Sequence, residues 1–119
     1  MDSPTSNLLR DLKKRLAALS IPIHFKLPDA SVVEPFLVVG GITSDTSKTA
    51  QTGLIIEDST IQIDIFLPGS KSRVYAENIK SQAIRLLGRN TRTTSTILMD
   101  NSIGREVYHI VIKTTETIL

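Results

Sequence analysis

Residues 60–66, TIQIDIF, place Ile61, Ile63 and Ile65 in strict alternation with Thr60, Gln62 and Asp64. A period of two sets the isoleucines on one face of an extended strand and the polar residues on the other. The run therefore reads as a strand with one face on a core. It stops at Pro68-Gly69 and passes into a helix-like run through Ser70, Lys71 and Ser72. Strand, glycine, lysine, serine, helix is also the order of a phosphate-binding loop, so GSKS poses a question of chemistry.

The spacing answers it. A P-loop needs G-x-x-x-x-G-K-[ST], with the lysine directly after the second glycine. Here Ser70 separates Gly69 from Lys71, and Asp64 stands about where the first glycine would be. A carboxylate there repels phosphate. Pro, Gly and Ser at the start of a helix need no ligand to explain them.

The rest of the chain arranges itself around this strand. Leu8, Leu9, Leu12, Leu16 and Leu19 share one stripe of a helix over 7–19, with Arg10, Lys13, Lys14 and Arg15 off it. Ser3, Thr5 or Ser6 could cap it, and Pro22 ends it. IPIHF (21–25) predicts a short strand and LPDASVVEP (27–35) a crossing loop. PFLVVGGI (35–42), nearly all apolar and rich in β-branched residues, predicts a central strand buried on both faces. Gly40-Gly41 opens a polar run, not a helix, and marks a bulge or a close backbone approach.

Residues 43–53, TSDTSKTAQTG, offer no large apolar side chain. Such a stretch gains little from burial and is expected to be mobile. With GLIIEDS partly extending the next strand, it predicts a loose hairpin tip near 43–58. A second helix spans 71–87, with Ala76, Ile79, Ala83, Leu86 and Leu87 on one face and Gly88 as its C-cap. TTSTILM (93–99) is a strand, DNSIG (100–104) a turn, and 105–118 contains a long strand with apolar residues on both faces. The order α-β-β-β-α-β-β predicts a single α+β domain over 1–119, a mostly antiparallel sheet with two amphipathic helices packed on one face.

Composition narrows the chemistry. There is no cysteine, hence no disulfide, thiolate metal site or cysteine nucleophile. His24 and His109 lie in predicted strands without metal-ligand neighbours at helical spacing, and read as ordinary polar strand residues. Among the acidic residues the adjacent Glu57-Asp58 is no acid–base pairing, and no serine sits in a G-x-S-x-G elbow. No catalytic, cofactor or metal site is expected, and binding or assembly is the better class than catalysis. The formal charge is +2, yet Lys71, Arg73, Lys80, Arg85, Arg89 and Arg92 cluster in one segment opposed by Glu77. Of these, Lys71, Arg73, Arg89 and Arg92 form a candidate basic surface. Aromatics make up 4% of the chain, too few for a base-stacking platform. No apolar run reaches membrane-spanning length, and MDSPTSNLLRDLKKRL lacks the order of a signal peptide.

Taken whole, the pattern resembles the tail-terminator, or tail-completion, family of long-tailed bacteriophages. The resemblance rests on the Leu-striped N-terminal helix, IPIHFKLP, PFLVVGGITS, a polar tip, IQIDIFLPGSKSRVYAENI and a final hairpin. The alternating strand with its acidic residue, running through a short turn into the second helix, is its most distinctive part. The chain departs from the family in its long 43–58 connection and its threonine-rich 91–99 strand.

The resemblance implies a homo-hexameric ring at the head–tail junction of the virion. Such a ring caps the tail tube, ends its polymerisation and offers the surface for head–tail joining. Its partners would be other copies of the chain, the tail tube protein and a head-completion or connector protein. DNA would pass through the ring without sequence-specific binding, and no membrane is involved. Asp45, Thr46, Ser47, Lys48 and Thr49 would form a docking loop. A head-closure ring on the portal side, or a small nucleic-acid-binding module using the basic segment, are the alternatives.

The GSKS reading has a direct test. Calorimetric titration with ATP or GTP and magnesium should give no saturable heat. Micromolar binding that vanishes in Lys71→Ala would reverse it.

Overall fold

A computed structural model describes residues 4–49, 55–88, 92–102 and 104–118. The elements follow the expected order: α1 (Pro4–Leu16, continued by a 3-10 turn over Ala17–Leu19), β1 (Ile23–His24), β2 (Phe36–Thr49), β3 (Ile55–Pro68), α2 (Arg73–Leu87), β4 (Arg92–Asp100) and β5 (Val107–Ile118). The strands form one sheet in the order β1-β2-β3-β5-β4, parallel between β1 and β2 and antiparallel elsewhere. The fold is α+β, as expected.

The alternation in β3 organises the core. Ile61, Ile63, Ile65 and Leu67 are fully buried against the helices. Leu37 and Val39 of β2 and Ile110 and Ile112 of β5 join them from either side. Leu8, Leu12 and Leu16 of α1 and Ala76, Ala83 and Leu87 of α2 close the layer from above. The two buried alanines of α2 need less room against the sheet than the leucines of α1. The opposite sheet face carries a smaller cluster of Phe36, Val38, Phe66 and Val107, with Val32 packed on it. Phe36, Leu37, Val38 and Val39 are thus all buried, and β2 is covered on both faces here as its composition predicts.

Local chemistry explains the joints. Lys71 N–H donates to the Pro68 carbonyl at 3.1 Å, closing a turn, and the Ser72 hydroxyl caps α2 by accepting from Tyr75 N–H at 3.1 Å. A side chain at Gly69 would collide with the Glu106 carbonyl, so the glycine serves a close backbone approach of the β4–β5 turn. Gly88 caps α2 at φ 100°, a left-handed conformation suited to glycine. α1 begins at Pro4, which puts Thr5 and Ser6 inside the helix and past the N-cap position, and Ser3 lies outside the described residues.

The expected loose tip over 43–58 requires correction. β2 continues to Thr49 and β3 begins at Ile55, with Asp45 paired to Asp58, Lys48 to Ile56 and Thr49 to Ile55. Residues 50–54 lie outside the described residues. A polar sequence can extend this hairpin because the ladder satisfies backbone N–H and C=O groups regardless of side chain. The apolar base below locks the register from which the ladder grows. Register shifts between Gly40 and Thr43, and between Asp45 and Lys48, mark bulges in β2. The first agrees with the bulge read from Gly40-Gly41. A Cβ at Gly40 would meet nothing within 4 Å, so close approach is not its role.

Core and cap make separable contributions to stability. Ile63→Ala should cost about 2–5 kcal/mol through lost burial and a residual cavity. Ser72→Ala should cost about 1 kcal/mol through the lost cap. Urea denaturation should show both as shifts of midpoint at unchanged slope.

Candidate functional site

Two features of the sheet stand apart from the core: the polar side of its open face and the arm made by the far ends of β2 and β3. On the open face, register aligns Phe36, Phe66, His109 and Leu98 in one row across four strands. The Phe36 and Phe66 rings lie 5.0 Å apart, and Phe66 stacks on the His109 imidazole at 4.4 Å and 18°. His24 meets Phe36 edge-on at 5.9 Å.

His109 is flanked on both sides. Its Nε2 lies 2.7 Å from Asp64 Oδ1 on β3, and its Nδ1 lies 3.3 Å from Asp100 Oδ2 on β4. Gln62 Nε2 also donates to both Asp64 oxygens at 3.1 Å. Two carboxylates accept from one ring, an arrangement satisfied when both ring nitrogens carry protons. The hydrogen bond to Asp64 raises the His109 pKa above its ordinary value, partial burial opposes this, and the charges of Asp64 and Asp100 add to the rise. The stacked Phe66 ring favours the cation as well. The carboxylates sit on opposite sides of the imidazole and share no point that a cation could occupy. Among the described residues, no three His, Cys, Asp or Glu side chains are grouped to hold a metal ion.

A second polar node pins the 25–35 connection across the small cluster. Arg105 donates to Glu34 from Nε at 2.9 and 3.1 Å and again from Nη2. It also reaches the Ala30 carbonyl at 2.9 Å and the Val32 carbonyl at 2.8 Å. Arg105 holds the buried Glu34 carboxyl below its usual range. A third node joins the helices to the sheet. Arg15 of α1 donates to Leu87 O at 2.7 Å and Glu116 Oε1 at 2.6 Å, and also pairs with Asp11.

The arm holds Asp45, Thr46, Ser47, Lys48 and Thr49, all on the distal part of β2. The sheet tapers toward it. β4 ends opposite Thr115, β5 runs on to pair Ile118 with Glu57, and among the described residues Lys48 and Thr49 of β2 pair only with Ile56 and Ile55 of β3. The molecule measures 54 × 26 × 23 Å.

The candidate basic surface is divided by the fold. Lys71 and Arg73 are exposed at the end of the sheet where Pro68 pairs with Val107. Lys71 Nζ lies 5.5 Å from the Tyr75 ring centroid, and Arg73 pairs with Glu77 at 3.2 Å. Glu77 takes Lys80 too, at 3.1 Å. Arg92 is exposed at the opposite end of β4, roughly 25 Å away by strand rise. Arg89 lies outside the described residues.

No protein-family model matches the chain, and no curated protein matches it. No helix among the described residues is long and apolar enough to cross a membrane.

The three polar nodes escaped the sequence reading. Asp64 was visible as a polar residue opposite the isoleucines, but its meeting with His109 and Asp100 depends on the order β3-β5-β4, which periodicity does not contain.

The histidine bridge has a signed pH dependence. Its folded-state pKa is raised, so its contribution is complete below the unfolded value of about 6.5. That contribution is lost as pH rises through the folded value. Denaturant midpoints of the wild-type chain should therefore fall over this alkaline-going window, and those of His109→Gln should not follow. An NMR titration of the imidazole should place the folded pKa above that of a histidine peptide.

Proposed function

We propose that the chain is a phage structural protein that caps the tail tube as a ring, ends tail polymerisation and presents the surface for head–tail joining. The arm is the observation that supports this most. It extends past the helix-backed body, yet its sequence from Thr43 to Thr49 holds no large apolar residue. Ordering the backbone costs about 1–2 kcal/mol per residue. The β2 side of the arm adds nothing to a core, and the β3 side carries Ile55 and Ile56, apolar residues that a partner could cover, so contact with a partner is a sufficient reason to keep it. A protein that recognises the end of a tube and blocks further addition needs a body to form a wall and an element that reaches onto the tube. The α+β body and the arm match those two parts.

The ring and its sixfold count come from the family resemblance. A ring needs two different surfaces that meet on rotation, and the two dissimilar edges of this sheet meet that requirement. The function is recognition and blockage without bond chemistry. Tube protein, connector protein and other copies of the chain are the partners, and DNA passes through the lumen.

Electron microscopy of purified chain mixed with uncapped tail tubes tests the proposal. One ring on the head-proximal end and tubes of fixed length are expected. Rings confined to portal vertices of filled heads would favour a connector role instead. The arm is tested by joining Asp45 to Asp58, which face each other in register, through an Asn-Gly turn. This shortened chain should fold and keep its core stability but leave tubes uncapped. Full capping by the shortened chain would remove the arm from the mechanism.

A further inference from the structure

β4 is the last strand of the sheet, with no strand on its outer side among the described residues. Natural edge strands are guarded by charges, prolines, bulges or short length. The other edge has such guards: β1 is two residues long, and β2 beyond it carries two bulges. β4 has none within its length. It runs for nine residues, RTTSTILMD, with charges only at its two ends and seven uncharged residues between them. Leu98 and Met99 are about half exposed, one on each face of the sheet.

The placement of those two charges names the occupant. Arg92 and Asp100 are eight positions apart and share the open face. If two copies of β4 pair antiparallel about Thr96, each Arg92 faces the other copy's Asp100. The same register puts Thr94 across from Leu98, Ser95 across from Ile97, and Thr93 across from Met99. A slip of one residue turns every side chain to the wrong face, and a slip of two separates the charges. Parallel pairing would set Arg92 against Arg92 and Asp100 against Asp100. Asp100 also has reason to accept a second cation. Its Oδ1 accepts from Ser102 N–H at 2.7 Å and its Oδ2 faces His109, one partner on each oxygen, and together with Asp64 it leaves one formal negative charge on the trio when His109 is protonated.

From this self-complementary edge we infer that the free chain forms a twofold dimer through β4, joining two five-stranded sheets into one. The inference goes beyond the ring proposal and does not rest on it. In a cell making many copies of the chain, such pairing would cover an edge that otherwise templates aggregation, and the dimer would part when its copies enter a larger assembly.

The test uses the natural absence of cysteine. Thr96 is exposed and lies on the proposed axis, so T96C places two thiols directly opposite each other. Mild oxidation should cross-link T96C efficiently. T94C, which faces Leu98 of the other copy, should stay uncross-linked, and T94C/L98C should link. Sedimentation should give twice the chain mass for wild type. R92D should weaken association about tenfold or more, since two attractive pairs become repulsive. R92D/D100R should restore it. Circular dichroism checks that each variant folds, and T96C decides the matter if Asp100→Arg does not fold. A wild-type chain that remains monomeric at high concentration overturns the inference. So does association in which T96C fails to link. Capping of tail tubes is scored separately, and either result can fail while the other stands.

Discussion

The contact between the β3 row Ile61, Ile63, Ile65 and Leu67 and the two helices above it supports the whole molecule. Burying each such side chain is worth roughly 1.5–3 kcal/mol. Neither partner persists alone: helices of 13 and 15 residues are marginal in water, and so is an isolated hairpin. β3 lies at the centre of the strand order, so the same row also anchors β2 and β5 on its flanks. Register throughout the sheet follows from this layer, because a one-residue slip would expose every isoleucine in it.

The open face is held by different physics. Its apolar cluster is small, and ion pairs secure its margins. Arg105 ties the 25–35 connection down by way of Glu34, whose side chain is only 3% exposed. Loss of the guanidinium would leave a buried carboxylate without its cation, a costlier state than never having had the pair. The Asp64–His109–Asp100 bridge spans three adjacent strands and draws β4 into the sheet from the side where no helix covers it. Core burial therefore governs the helix face, and charge-assisted hydrogen bonds govern the open face.

The two sheet edges and the arm connect folding to assembly. The bulges that permit β2 to depart from strict register also roughen its outer edge, so one irregularity both shapes the arm and guards it. β4 owes its place to β5 and to the histidine bridge, and its outer side is left smooth. A sheet with one rough and one smooth edge is polarised, and that polarity governs which of its surfaces another chain can meet.

Much of the fold was legible locally. The period of two in 60–66, the leucine stripe of 7–19, the turn at 68–72 and the glycine cap at 88 each carry their meaning within a few residues, and the α+β order follows from them. The reading failed where meaning is not local. The polar stretch 43–49 looked like loop because side-chain hydrophobicity was the signal, whereas a ladder of backbone hydrogen bonds carries the strand onward from a base established elsewhere. Arg15 read as one more polar residue off the leucine stripe, yet its guanidinium closes on Glu116. The three ion pairs join residues 45, 71 and 101 positions apart. The sequence by itself determined which faces of the core elements are apolar and where α2 is capped, since periodicity and caps act over one or two turns of chain. Only the tertiary structure decided which charges meet, how far the arm reaches and which edge stays open, because strand order and register arise from packing the whole chain at once.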